Sequence, residues 1–330
     1  MNRTDKTALV TGANSGLGFE AAAQLAEAGW GKVILACRTT AKAEAAAAQL
    51  VERTGKNPFD TLEIDTSEVS SARAAADRLR DRGASIDFLL LNAGATGQDP
   101  QRNSDGVEIT YASTLIGHHV LTMRALEDGL LPAKARIIIA GSEGARGNMP
   151  GMPIHDINQI ATDHFNGDLA EAIGALCRLE VPSQAKFNNM QEYVTAKLLV
   201  VWWAAALARR LPAGMTVNAV SPGAAMATNF GRDANAMMRM VMIPIMKLLG
   251  PFMGMAGSTE SAARRYLEAA DFADDQTGQF YATAHRKKLV GPIGVQTWPD
   301  YFTDERAQEA GFDAIVKLTG TGFPETVPSK

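Results

Sequence analysis

Residues 8–18 read Ala-Leu-Val-Thr-Gly-Ala-Asn-Ser-Gly-Leu-Gly, an apolar run that ends in glycines at positions 12, 16 and 18. The run up to Val10 has the composition of a buried strand, and Phe19 to Ala28 that of a helix. Glycine lacks a Cβ, so the backbone can turn sharply here and a ligand can approach it closely. A helix that begins at such a turn points its unpaired N–H groups and positive dipole end at it, which favours an anion such as a pyrophosphate. The spacing, T-G-x-x-x-G-x-G, departs from the G-x-G-x-x-G pattern of dinucleotide sites. By itself it also fits an ordinary strand–helix turn, so the rest of the chain decides.

That remainder alternates strands and helices. Strands are expected at Lys32 to Ala36, around Leu62 and Ile64, at Ile86 to Leu91, Arg136 to Ala140, Thr216 to Val220 and Gly278 to Thr283. Helices are expected over residues 41–53, Val69 to Arg82, Gly106 to Leu131, Gln191 to Leu211, Thr259 to Ala270 and Asp304 to Leu318. Ile86 to Leu91 is continuously apolar, as a parallel strand buried on both faces should be. The alternation predicts an α/β, doubly wound parallel sheet in a single domain over residues 1–330. Residues 143–190 break the rhythm: Gly144 to Pro153 reads as loop and Asp156 to Glu180 as helical patches.

Hydrophobic residues make up 46% of the 330 and charged ones 21%, enough for a sizeable core. A net charge of -4 and a pI near 5.8 argue against a nucleic-acid partner. Cys37 and Cys177 cannot form a disulfide framework and lack metal-ligand spacing, so no metal and a reducing, cytoplasmic compartment are expected. Only Met1 to Asp5 precede the first strand, and the most apolar stretch, Val241 to Gly257, is broken by Pro244, Lys247 and Pro251. Neither a signal peptide nor a membrane span is expected.

Four short motifs fall at the ends of successive strands, where open α/β sheets bind ligands. They are Asn92-Ala93-Gly94, Gly141-Ser142, Tyr193-Val194-Thr195-Ala196-Lys197 and Ser221-Pro222-Gly223. Tyr193 and Lys197 are four apart and share one helix face. An ammonium beside a phenol favours the phenolate, so the pair can act as a general acid/base, with Ser142 bonding the reacting oxygen.

With Thr11-Gly12, Gly16, Gly18, Asp65, Asn92-Ala93-Gly94, Ser142, Tyr193, Lys197 and Pro222-Gly223 in this order, the chain resembles the short-chain dehydrogenase/reductase family over roughly residues 6–285. The resemblance implies a Rossmann-like fold and a nicotinamide cofactor. It implies catalytic roles for Ser142, Tyr193 and Lys197, with Thr114 standing where many members carry an asparagine that holds a water in the proton path. Cofactor contacts are implied at Gly12, Asn14, Ser15, Gly16, Leu17, Gly18, Arg38, Asp65, Thr66, Asn92, Ala93, Gly94, Tyr193, Lys197, Pro222, Gly223 and Thr228. Members that use NAD carry an acidic residue at the end of strand two. This chain has Arg38 there with Lys42 nearby, and a guanidinium matches phosphate geometry, so NADP(H) is expected.

Ser142 and Tyr193 are 51 residues apart, a longer interval than in simple members. The insertion, residues 143–190, is read as a lid or a flap over a dimerisation face, or else as a plain surface excursion. Residues 224–258 are expected to form a substrate-binding lid, and 286–330 a C-terminal extension. The methionine-rich segment Met237 to Met255 suits an adaptable apolar pocket, a core helix pair, or a patch resting on a membrane surface. His118 and His119 are read as packing or surface residues, since no third ligand is spaced to join them.

The leading expectation is an NADP(H)-dependent enzyme moving a hydride between nicotinamide and a carbonyl or alcohol of a bulky, lipophilic small molecule. The resemblance points to the retinol dehydrogenase, carbonyl reductase and protochlorophyllide reductase branches. Reduction of a carbon–carbon double bond is a second reading, weakened by Ala224 where that branch carries a cysteine. A non-catalytic NADP-binding regulator is a third, disfavoured by the intact Ser142, Tyr193 and Lys197. Monomer and homodimer both stay open.

Overall fold

The computed structural model describes residues 3–149, 151–182, 186–223, 257–285 and 288–328. Its strands are β1 (Thr7–Thr11), β2 (Lys32–Cys37), β3 (Phe59–Glu63), β4 (Phe88–Leu91), β5 (Arg136–Ala140), β6 (Thr216–Val220), β7 (Phe280–Thr283) and β8 (Ile293–Val295). They form one sheet in the order β3-β2-β1-β4-β5-β6-β7-β8. Strands β1 to β7 run parallel, and β8 pairs antiparallel with β7. The order reverses between β1 and β4, so the crevice of a doubly wound sheet opens there, beyond the strand C-termini.

Helices cover both faces. They are α1 (Gly16–Glu27), α2 (Thr40–Thr54), α3 (Val69–Asp81), α4 (Ile109–Tyr111), α5 (Gly117–Glu127), α6 (Ile157–His164), α7 (Leu169–Cys177), α8 (Asn189–Ala208), α9 (Thr259–Ala269) and α10 (Glu305–Thr319). Strand side chains alternate between the faces. Ala8, Val10, Leu90 and Ile138 pack with Leu25, Leu50 and Tyr266 from α1, α2 and α9. Leu9, Leu89, Leu91, Ile137 and Ile139 pack on the other side with residues of α3, α5, α7, α8 and α10. Burial on both faces is why β4 reads Phe-Leu-Leu-Leu without alternation.

The long helix expected over Gly106 to Leu131 is shorter and interrupted. It begins at Ile109, passes through a π-turn at Ala112–Ile116, and ends at Glu127. At Gly117, just past the π-turn, a Cβ would lie 2.1 Å from the Thr66 carbonyl oxygen, so only glycine permits this close approach. A π-turn inside a helix commonly marks a functional position, and Thr114 sits in this one. Strand β8 went unread because three residues on a sheet edge, neither buried nor alternating, give no periodic signal.

In the insertion, Gly144 and its neighbours form a single 3-10 turn, Glu143–Arg146, rather than open loop, and α6 and α7 follow. The C-terminal α10 lies against α7 and α8. Trp202 Nε1 of α8 donates to the Tyr301 carbonyl at 2.6 Å, just ahead of α10. Helix α8 is apolar all round because the sheet covers one side and α10 the other. The expected lid over 224–258 falls outside the described residues except for Gly257 and Ser258.

Candidate active site

Gly12 and Gly16 both adopt positive φ, 67° and 56°, which an L side chain resists. Gly18 serves differently. A Cβ there would sit 2.4 Å from the Gly12 carbonyl oxygen and 2.6 Å from Asn92 Nδ2, so its absence lets α1 seat against the turn. The first turn of α1 carries no acidic side chain to oppose an anion. Asn14 and Ser15 are exposed at the tip, with Leu17 half-buried beside them.

Thr11 wires this turn to the motif after β4. Its hydroxyl accepts from the backbone N–H of Asn92 at 2.8 Å and of Ala93 at 2.9 Å, while Asn92 Nδ2 donates to the Thr11 carbonyl at 2.9 Å. The hydroxyl's own proton goes to His118 Nε2 at 2.9 Å. That direction follows from the other ring nitrogen: Nδ1 faces the Thr114 carbonyl at 3.0 Å, which only accepts, so Nδ1 carries the hydrogen. Burial holds the ring neutral, its pKa pushed down to about 3. His118 and His119 are both fully buried, so the packing alternative of the sequence reading holds and the surface one does not. Thr114 is buried, and its hydroxyl borders Gly94, where a Cβ would be 3.3 Å from it.

Ser142, Tyr193 and Lys197 come together at the end of β5. Ser142, two residues beyond the strand, caps the 3-10 turn, its oxygen accepting from the Gly144 N–H at 3.1 Å. Its hydroxyl is hydrogen-bonded to that of Tyr193. The Lys197 ammonium lies 5.8 Å from the centre of the Tyr193 ring and donates to the Ala140 carbonyl at 2.7 Å. Among the described residues no carboxylate lies within ion-pair distance of it, and burial pushes its pKa down to about 8.

The expectation of a phenol pKa below its ordinary value needs correction. Burial holds the Tyr193 phenol above its ordinary value, and Glu143 adds to this against the hydrogen bond from Ser142. Desolvation penalises the phenolate more than the Ser142 hydrogen bond favours it.

Sequence reasoning missed the network beneath Ser142. The buried Glu143 carboxylate accepts from the Ser221 hydroxyl, from Thr283 Oγ1 at 3.0 Å and Thr283 N–H at 3.2 Å, and faces Arg265 Nη1 at 3.5 Å. Arg265, from α9, also donates to the carbonyls of Ser221 at 3.1 Å and Gly291 at 2.9 Å. The pair links the residue after Ser142 to the residue before Pro222-Gly223. Nothing in a sequence pairs positions 143 and 265. The buried hydroxyl of Tyr266, one residue on, has no hydrogen-bond partner among the described residues.

Near the far end of the crevice, Arg38 Nε pairs with Asp65 Oδ2 at 3.2 Å, the arginine side chain staying 60% exposed. Asp65 also accepts from Ser67, and Thr66 is buried against the helix at Gly117. Glu63 caps the start of α2 by accepting from Thr40 N–H at 3.0 Å. Gly223 has φ 77°, and a Cβ there would meet the Leu289 carbonyl oxygen at 2.2 Å. Thr228 lies outside the described residues. The structure thus gathers the glycine turn, Asn92 to Gly94, Ser142, Tyr193, Lys197 and Pro222-Gly223 along one edge of the sheet.

A doubly wound sheet with a glycine turn at its switch point and a hydroxyl pair beside a buried lysine defines a nucleotide-dependent oxidoreductase class. The short chain dehydrogenase family model matches residues 6–173, and the chain belongs to this family of oxidoreductases. Retinol dehydrogenase 13 of Homo sapiens is 30% identical over 283 residues, covering 84% of this chain and 76% of that protein. The WW domain-containing oxidoreductase of Danio rerio is 32% identical over 233 residues, 70% of this chain, which spans about half the length of that relative (52%). Among solved structures, an uncharacterised protein from Mycobacterium paratuberculosis superposes with a TM-score of 0.68 at 24% identity, covering 98% of this chain and 96% of the other. Among the described residues no helix is long and apolar enough to cross a membrane.

Proposed function

We propose that the protein is an NADP(H)-dependent carbonyl/alcohol oxidoreductase, with Tyr193 exchanging the proton. The observation that carries this reading is the Ser142–Tyr193 hydroxyl pair beside a buried lysine. A nicotinamide dinucleotide fits the residues present. Gly12, Gly16 and Gly18 leave a cradle at a helix start, and among the described residues Lys197 spends one of its three N–H donors, on the Ala140 carbonyl. When bound, the cofactor supplies or takes up the hydride.

The protein's part is position and proton. Ser142 anchors the substrate oxygen next to the Tyr193 hydroxyl. A phenol held above its ordinary pKa stays protonated at neutral pH, which suits it to donate to a developing alkoxide. Lys197, as ammonium, stabilises the phenolate left behind. Thr114 borders the same crevice and takes the place of the relay side chain. The methionine-rich segment from Met237 to Met255 supports a lipophilic substrate.

Arg38 supports the phosphorylated cofactor. Asp65 engages its Nε, and the side chain stays mostly exposed, so a forked guanidinium remains available to a phosphate. The test is a turnover screen of lipophilic aldehydes, ketones and alcohols with each nicotinamide cofactor. Arg38→Ala is expected to raise the KM for NADPH about 10- to 100-fold, the worth of a charge-assisted phosphate contact, and to leave that for NADH nearly unchanged. Equal loss with both cofactors would refute the assignment.

A further inference from the structure

A second buried polar group touches the same helix on its other side. Glu192, next to Tyr193, is 1% exposed. Its carboxylate accepts from the Tyr111 hydroxyl at 2.6 Å and from His155 Nε2 at 3.0 Å. His155 belongs to the insertion, between the 3-10 turn and α6. Its backbone N–H donates to Thr195 Oγ1 at 3.2 Å. The insertion therefore grips α8 at residues 192 and 195, on either side of Tyr193 in the chain. Tyr111 sits three residues ahead of Thr114, so one carboxylate ties the π-turn to the turn that carries Tyr193.

The place of Tyr193 makes this grip consequential. Helix α8 begins at Asn189, so Tyr193 lies near its N-terminal end, where the first four N–H groups have no partner within the helix and ends fray. Asn188 caps two of those groups, Met190 at 3.1 Å and Gln191 at 3.3 Å. The Glu192 bonds hold the residues that follow. A carboxylate this deeply buried is costly unless its partners stay in place, so the grip is tight rather than incidental.

We propose that His155 is a positioning residue for Tyr193, acting through Glu192, so that the insertion fixes the phenol by pinning the first turns of α8. This rests on Tyr193 being the proton donor. It assigns the 143–190 segment a part in turnover that a plain surface excursion lacks.

The test uses the full chain with His155→Ala and His155→Gln. A glutamine amide can still donate to Glu192, whereas alanine cannot. Amide hydrogen exchange over residues 189–196 is expected to quicken about tenfold or more in His155→Ala and to return toward wild type in His155→Gln. With an active substrate, kcat in His155→Ala falls about 10- to 100-fold, while the Kd for NADPH stays within about twofold. His155→Gln restores most of the kcat. Tyr111→Phe, which removes the other bond to the same carboxylate at little change in volume, is the second probe and quickens the same amides. The exchange measurement needs no turnover, so an inactive wild type overturns the functional reading and leaves the grip to be judged by exchange. Unchanged exchange over 189–196 in both His155→Ala and Tyr111→Phe, or equal kcat losses for alanine and glutamine, overturns the proposal.

Discussion

Thr11→Val removes one hydroxyl and almost no volume, so it isolates the wiring between β1 and the Asn92 motif. In the wild type that hydroxyl meets the Asn92 N–H, the Ala93 N–H and His118 Nε2, with the Leu90 carbonyl farther off at 3.5 Å. Each buried polar group left without a partner costs about 1–3 kcal/mol. His118 cannot compensate by changing tautomer, because Nδ1 must keep its hydrogen for the Thr114 carbonyl. Asn92 and Ala93 are only half-buried, so water relieves part of their loss. The low end of each range applies to the two amides, giving a total of about 3–5 kcal/mol. Urea unfolding measures it, with Thr11→Ser as the control that keeps the hydroxyl and loses about 1 kcal/mol for the methyl group. A Thr11→Val loss below about 1 kcal/mol would refute the assigned hydrogen-bond directions.

Two further outcomes follow from buried titrating groups. The Lys197 ammonium, at about 8 in the unliganded site, loses its proton as pH rises through that value. The kcat/KM for carbonyl reduction should therefore fall above about pH 8, and Lys197→Arg, which cannot deprotonate, should lose that limb whatever its overall rate. His118 and His119 have folded pKa values of about 3 and 4 because burial disfavours their charged forms. Between these values and 6.5 the unfolded chain binds more protons, so their contribution is complete above about pH 6.5 and shrinks as pH falls. Urea stability should drop by about 3 kcal/mol for each ring between pH 6.5 and pH 4, and by half of that total in His119→Gln.

Much of this molecule was legible from residue patterns because those patterns are local. The glycine turn, the parallel strands and the Tyr193–Lys197 spacing each fall within a dozen residues, and the sheet brings them to one edge as expected. What escaped was either too short or too distant. Strand β8 has three residues at an edge. Just past the π-turn, Gly117 packs on Thr66, a contact between residues 51 positions apart in the chain. The Glu143–Arg265 pair and the grip of His155 on Glu192 join side chains whose partners are set only by the tertiary fold. The phenol pKa went the other way for the same reason: adjacency to Lys197 shows in the sequence, whereas the depth of burial does not.

The central claim is that the Tyr193 hydroxyl hands over the proton while the rest of the site only holds and orients. Single-turnover reduction by Tyr193→Phe, with NADPH affinity measured alongside by fluorescence titration, tests it most directly. The account predicts a rate at least about 100-fold lower with cofactor affinity within about twofold of wild type. Reduction at the wild-type rate by the phenylalanine variant would contradict it.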